Sequence, residues 1–302
     1  MTISRAQLAK ELDPGVNALF GLEYDRYENE AAEIFESEGS DRAFEEEVML
    51  SGFGTAPVKS EGSAINFDDA QETYTARYTM ETIALAFSIT EEAVEDNLYD
   101  RLAARYTRAL ARSMAQTKQI KGATVLNNAF STASPIGDGA ALCSAAHPSL
   151  SGDQSNLLAT PADLNETSLE DILIQIAGFT DERGLKIAVR GTKLLIPKEL
   201  QFIAERIITS NLRPGSADND INAMKSMGML PEGAVVNHFF TDADAYFVKT
   251  DCPNGFKLFN RTPLKTAMEG DFDTGNMRFK ARERYAFGVS DWRCVFGTAG
   301  AA

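Results

Sequence analysis

Apolar and polar residues alternate along residues 73–89, TYTARYTMETIALAFSI, with the period of two that marks a half-buried strand. Tyr74, Ala76, Tyr78 and Met80 share one face, and Ile83, Leu85, Phe87 and Ile89 share the other. The phase slips between Met80 and Ile83, which predicts a bulge or a passage from one packing environment to another. The β character begins at Phe44, and between the strand-like ends lies the polar, glycine-bearing stretch GFGTAPVKSEGSAINFDD. The pattern predicts a long hairpin over 44–89 whose tip buries little against its own chain.

Beyond it the period lengthens. Val94, Leu98, Leu102, Tyr106, Leu110 and Met114 recur every fourth residue, predicting an α-helix over 90–128. Thr90 supplies an N-cap, and Glu91, Glu92, Glu95 and Asp96 put negative charge at the positive end of the helix dipole. Gly122 alone interrupts the helical composition, and no proline follows until Pro135. Such a helix is roughly 57 Å long, so something long must lie beside it. A second face carries Arg101, Arg105, Arg108 and Arg112. These form either a solvated basic face or a stripe that receives an acidic segment of the same or another copy, with direct DNA contact a third reading.

Residues 129–166 lack a period and read as loop. Leu169, Ile172, Leu173, Ile176 and Phe179 then form the stripe of a compact helix, capped by Thr167 or Ser168 and closed at Arg183-Gly184. KIAVRGTKLLIP gives short strands ending at Pro197, and 198–210 is helical with Leu200, Ile203, Ala204, Ile207 and Ile208 inward. GAVVNHFF, AYFVKT and FKLFN read as further short strands. In MRFKARERYAFGVSDWRCVFG, Met277, Phe279, Ala281, Tyr285 and Phe287 alternate with Arg278, Lys280, Arg282 and Arg284, an amphipathic strand with a basic face. Mixed in this order, the elements predict an α+β body around a central sheet.

Charge changes this picture at the N-terminus. Glu23, Asp25, Glu28, Glu30, Glu33, Glu36, Glu38, Glu45, Glu46 and Glu47 crowd the first 47 residues. That composition suits an arm needing a partner surface, or a solvated amphipathic helix over Tyr27–Glu38. The net charge of −15 counts against a sequence-reading nucleic-acid binder but not against a protein that merely encloses nucleic acid. No run approaches the roughly 18 apolar residues needed to cross a bilayer. Cys143, Cys252 and Cys294 are odd in number and widely spaced, which argues for a reducing compartment. The sequons at Asn165 and Asn260 read as chance matches.

Reactive chemistry is sparse. The only histidines are His147 and His238, and no zinc, phosphate-loop or nucleophile-elbow motif occurs. Cys143 and His147 are four apart but lack further ligands nearby. The stretch from Asp271 begins like a calcium loop, yet Arg282 stands where a bidentate glutamate is required. Asp218, Asn219 and Asp220 suit a solvated loop tip better than a cation site. No catalytic, cofactor-binding or metal-binding residue is expected.

Three stretches carry a family resemblance: AAHPSLSGDQSNLLATPADLNETSLEDILIQIAGFTDERG, KLLIPKELQFIAERIITS and FKARERYAFGVSDWRCVFGTAGA. They resemble the major capsid proteins of tailed phages with the Hong Kong 97-type fold, and within them the Mu-like head subunits. The resemblance implies an N-terminal arm (1–43), an extended loop (44–89), a spine helix with the peripheral domain (90–190), an axial domain (191–270) and a return strand with tail (271–302). It implies hexamers and pentamers of the chain in an icosahedral virion shell, assembled in the host bacterial cytoplasm. That shell encloses double-stranded DNA without sequence-specific binding. The implied partners are other copies, a separate scaffolding protein, a portal and a decoration protein, with no membrane. Some relatives crosslink through a lysine where Lys59 lies, although nothing identifies its partner. Lys59, Glu61, the four helix arginines and the four basic residues of 278–284 are the contact candidates. The alternative is an encapsulin-type nanocompartment shell around an enzyme cargo.

Overall fold

The computed structural model describes residues 19–92, 99–213, 220–271 and 274–301. The phase slip at Met80 proves to be a change of partner. Strand β2 (Phe44–Leu50) pairs antiparallel with β3 (Glu72–Thr79) as a two-stranded ribbon. After Met80, β4 (Glu81–Ile89) leaves the ribbon and pairs with β9 (Met277–Val289). β9 also pairs along its length with β8 (Phe256–Gly270), whose other edge takes β1 (Glu36–Gly39) in parallel. The sheet order is therefore β1-β8-β9-β4.

A second sheet runs β10 (Val295–Thr298), β7 (Tyr246–Thr250), β5 (Gly191–Pro197), β6 (Ala234–Asn237). Both faces of β5 are buried, Leu194 and Ile196 on one side and Leu195 on the other, as in a strand that forms the middle of three layers. The first face packs under α3 (Glu166–Ala177) and α4 (Gln201–Thr209), together with Tyr246, Val248, Trp292 and Phe296. The other face meets Ile34, Phe35, Leu126 and Phe256.

The long helix is α2 (Tyr99–Asn127). Residues 91 and 92 are helical too, whereas 93–98, with Val94 and Leu98, lie outside the described residues. A four-residue repeat advances about 40° per step on an α-helix, so its stripe winds round the axis. Tyr106 accordingly falls at the edge, 48% exposed, while Leu110 and Met114 are buried. The long partner is the β8–β9 hairpin, which gives Phe279, Ala281, Leu264 and Met268, joined by Ile83 and Phe87 of β4. Gly122 lies inside the helix, where a Cβ would lie 3.1 Å from Ala31 and 3.4 Å from Phe287, so glycine permits the close packing there. The close approach offsets the roughly 1 kcal/mol that glycine costs in a helix.

Three expectations are corrected. The cap of α3 is Asn165, not Thr167 or Ser168: its side chain accepts the Ser168 N–H at 2.8 Å, and Ser168 Oγ accepts the Asn165 N–H at 3.1 Å. The helix ends at Gly178, five residues before Arg183-Gly184. The short strand expected at FKLFN runs on to Gly270, with Pro263 accommodated at a register shift between Thr262 and Lys265. Asn165→Ala should lower stability by about 1 kcal/mol, read as a fall in the urea midpoint at constant m-value.

Two features bear on how the molecule divides. Because β8 and β9 pair throughout, the boundary expected at 270 falls at the turn of one hairpin. The stripe of α3 packs on β5 and β7, not beside α2.

Candidate assembly surfaces

The ribbon of β2 and β3 projects a tip, residues 52–70, with no regular structure. It is closed at its base by Ser51 N–H to Gln71 O at 2.9 Å. Phe53 is 60% exposed, Ile65 70%, Phe67 97% and Val58 98%. Lys59 and Glu61 are exposed beside them. Four large apolar side chains are thus exposed within one projecting tip, where a folded chain ordinarily hides them. Among the described residues the tip's polar contact with the body is to Arg183, through Asp68 at 3.7 Å and the Asp69 carbonyl.

The acidic segment, residues 19–39, docks on its own body as a strap. Helix α1 (19–25) puts Glu23 3.4 Å from Arg108 of α2. Next comes a 3-10 turn, Glu30–Glu33, and then β1, so the helix expected over Tyr27–Glu38 does not form. Basic residues of the body hold the segment one carboxylate at a time. Glu30 receives both His238 N–H and Nδ1, at 2.9 and 2.7 Å. Lys193 lies 2.9 Å from Glu33 and 3.0 Å from Glu232. Lys249 donates to the Ile34 carbonyl at 2.8 Å. Lys257 bridges Glu38, at 3.2 Å, to Glu47 of the ribbon, so arm and hairpin meet on one buried ammonium. The sequence signal for these lysines lies in TKLLIP and GFKLF, where a single charge interrupts a buried apolar run and must be paired.

The hydrogen bond from Lys193, reinforced by its charge, holds the Glu33 carboxyl below its ordinary value. A carboxylate with a lowered folded pKa stabilises fully above the unfolded value, near 4.5, and its contribution is lost as pH falls through the folded pKa. Acidification below that range should therefore loosen the strap. Amide exchange at Ala31 and Phe35, corrected for intrinsic rate, should rise at pH 3.5 relative to pH 7, and Glu33→Gln should show part of the rise at pH 7. Equal protection at both pH values would contradict this.

Of the helix arginines, Arg105, Arg108 and Arg112 are exposed, and the side chain of Arg101 lies outside the described residues. Arg108 pairs with Glu23 of the acidic segment; with Arg112 it lines a 590 Å³ cleft beside Glu23, Arg26 and Tyr27. On β9, Arg278, Lys280 and Arg282 are exposed and Arg284 is half-buried, as the alternation predicts. The alternation skipped Glu283, which sits on the apolar side and is buried. Desolvation raises its pKa, opposed by Lys118 at 3.6 Å and by the Tyr24 hydroxyl, which donates to it at 3.3 Å.

His147 is structural. Its Nδ1 lies 2.6 Å from Asp138, its Nε2 3.1 Å from Asn156, and its ring stacks on Trp292 at 4.4 Å. Both nitrogens are thus engaged. Burial pushes the Cys143 thiol up, leaving a poor nucleophile. Among the described residues no group of three or more potential ligands could hold a metal ion. Asp218 and Asn219, and part of the stretch after Asp271, lie outside the described residues.

The phage capsid protein family model matches residues 73–297. No curated protein matches the chain in sequence. Solved structures match in fold. The virus-like particle from Pyrococcus furiosus has a TM-score of 0.54 at 8% identity, over 94% of this chain and 97% of the other. The capsid of an empty GTA particle and Mycobacterium phage Adephagia each give 0.54 at 13% identity, over 91% of both chains. The family match spans β3 to β10 and takes in the second sheet, the long helix and every strand of the first sheet but β1. The chain belongs to the phage capsid protein family, as a major capsid shell protein of the Hong Kong 97-type fold.

Proposed function

We propose that copies of this chain assemble as hexamers and pentamers into a closed icosahedral phage head around double-stranded DNA, and that the chain catalyses no reaction. The exposed apolar tip carries the reading: Val58 and Phe67 are almost fully exposed in the single chain, and in a shell the abundant molecule that would bury them is a second copy. Lys59 and Glu61 flank that contact. The exposed Arg105 and Arg112, with Arg101 on the same helix face, form a second contact surface. Scaffolding, portal and decoration proteins are the other partners this role calls for, in a particle built in the host cytoplasm. The narrower likeness to Mu-like head subunits rests on the three stretches alone. Electron microscopy of the concentrated full-length protein tests the reading. Closed shells are expected, with DNA in those from infected cells. A protein that stays monomeric, or particles filled with an enzyme cargo, would overturn it.

A further inference from the structure

A short link carries the chain from the second sheet back to the first. β7 ends at Thr250 and β8 begins at Phe256, with Asp251, Cys252, Pro253, Asn254 and Gly255 between them. Pro253 and Asn254 form its turn. Asn254 has φ 58°, in the left-handed region that asparagine tolerates better than most residues with a Cβ. Proline just before it suits the second position of a type II turn. The far end of the link fits closely. A Cβ on Gly255 would lie 2.4 Å from Cys294 Cβ, and the Gly255 carbonyl accepts the Ser290 N–H at 3.2 Å.

In an asparagine–glycine pair the glycine nitrogen can attack the asparagine side-chain amide, and glycine has no side chain to obstruct that approach. The chain holds Asn-Gly once, at Asn254-Gly255, and its acid counterpart Asp-Gly once, at Asp138-Gly139. The structure separates the two. Asp138 is buried; one carboxylate oxygen accepts the Ala140 N–H at 2.9 Å and the other lies 2.6 Å from His147 Nδ1. The Gly139 N–H donates to the Ile136 carbonyl at 3.0 Å. Both reacting groups there are held. Asn254, by contrast, is exposed. Among the described residues neither its side-chain amide nor the Gly255 N–H has a hydrogen-bond partner.

We propose that Asn254 is a site of self-modification through a succinimide. Gly255 N gives its proton to solvent hydroxide and bonds to Asn254 Cγ. The Cγ–Nδ2 bond breaks, and ammonia leaves with a proton taken from water. Water then opens the ring. Cleavage at Cγ leaves aspartate, and cleavage at the main-chain carbonyl leaves isoaspartate, whose main chain runs through Cβ and Cγ. Either product adds a negative charge to the link that already carries Asp251. Isoaspartate also lengthens the link by a methylene, which loosens the fit of Gly255 against Cys294 where the two sheets join. No metal, enzyme or second copy takes part, so the reaction is independent of shell assembly.

The test incubates full-length protein at mildly alkaline pH and follows the peptide holding Asn254 by mass spectrometry. Isoaspartate is counted in parallel by enzymatic methyl transfer. The folded protein should show the mass gain of an amide-to-acid exchange at Asn254, together with a methyl-accepting product. Asn254→Gln should lose both signals, because the longer side chain closes a larger ring more slowly. Asp138 should stay unmodified in the folded protein and yield isoaspartate once urea unfolds it. An Asn254 that stays intact in the folded protein while a synthetic peptide of residues 248–258 is converted would overturn the inference. So would isoaspartate that persists unchanged in Asn254→Gln.

Discussion

Deleting residues 54–70 should leave a folded subunit that forms no stable shells. The deletion joins Phe53 to Gln71 and leaves Gly52 and Phe53 as a two-residue connection between Ser51 and Gln71. Gly52 already has φ 66°, and a leading glycine at positive φ suits a two-residue hairpin turn. The lost intramolecular contacts include the Gly54–Asp68 hydrogen bond, the Arg183 contact with the Asp69 carbonyl and the solvent-screened Arg183–Asp68 pair, an exposed set that contributes little. The lost surface is another matter. Phe53, Val58, Ile65 and Phe67 would each gain about 1.5–3 kcal/mol on full burial, a gain that a neighbouring copy would supply. Circular dichroism and urea unfolding should match wild type while sedimentation shows no particles. Normal particles from the deletion would show that the tip is not an assembly contact.

Arg293→Met should destabilise the subunit by about 3–5 kcal/mol, because it breaks a buried ion cluster. The guanidinium lies 2.9 Å from Glu182 and 3.3 Å from Asp291, donates to the Thr180 carbonyl at 2.7 Å, and stacks 4.3 Å over Trp292. The side chains of Arg293 and Glu182 are each 3% exposed. Removing the cation strands two buried carboxylates. Adding Glu182→Leu removes one of them and should recover part of the loss, since replacing both partners costs less than orphaning one. Urea unfolding of the single and double variants gives the comparison. A single variant within 1 kcal/mol of wild type would show the cluster to be dispensable.

The hairpin, the long helix, the capped helix and the amphipathic β9 were legible because each has a single period that local geometry imposes. The β3–β4 phase slip was legible too, since burying one face of a strand specifies its register. β8 was read short because beyond Asn260 its apolar residues face α2 one at a time, through Leu264 and Met268, across a proline that argues against a strand. The cap of α3 was misplaced because Asn165, Thr167 and Ser168 all cap well, and only the chain's entry angle chose among them.

The contact surfaces divide in the same way. Composition alone established an acidic N-terminal segment, a polar tip that buries little against its own chain, and two rows of cations, whereas the exposure of Phe53, Val58, Ile65 and Phe67 on that tip came from the structure. Which acid meets which base was set by tertiary structure. Glu23, Glu30, Glu33 and Glu38 find Arg108, His238, Lys193 and Lys257 at sequence separations that no period reports. Hydrophobic periodicity is a local property of the backbone and survives in the sequence. An ion pair depends on where two distant segments come to rest, so strand order and helix packing decided that the strap is held in cis while the tip and the basic face of β9 stay open.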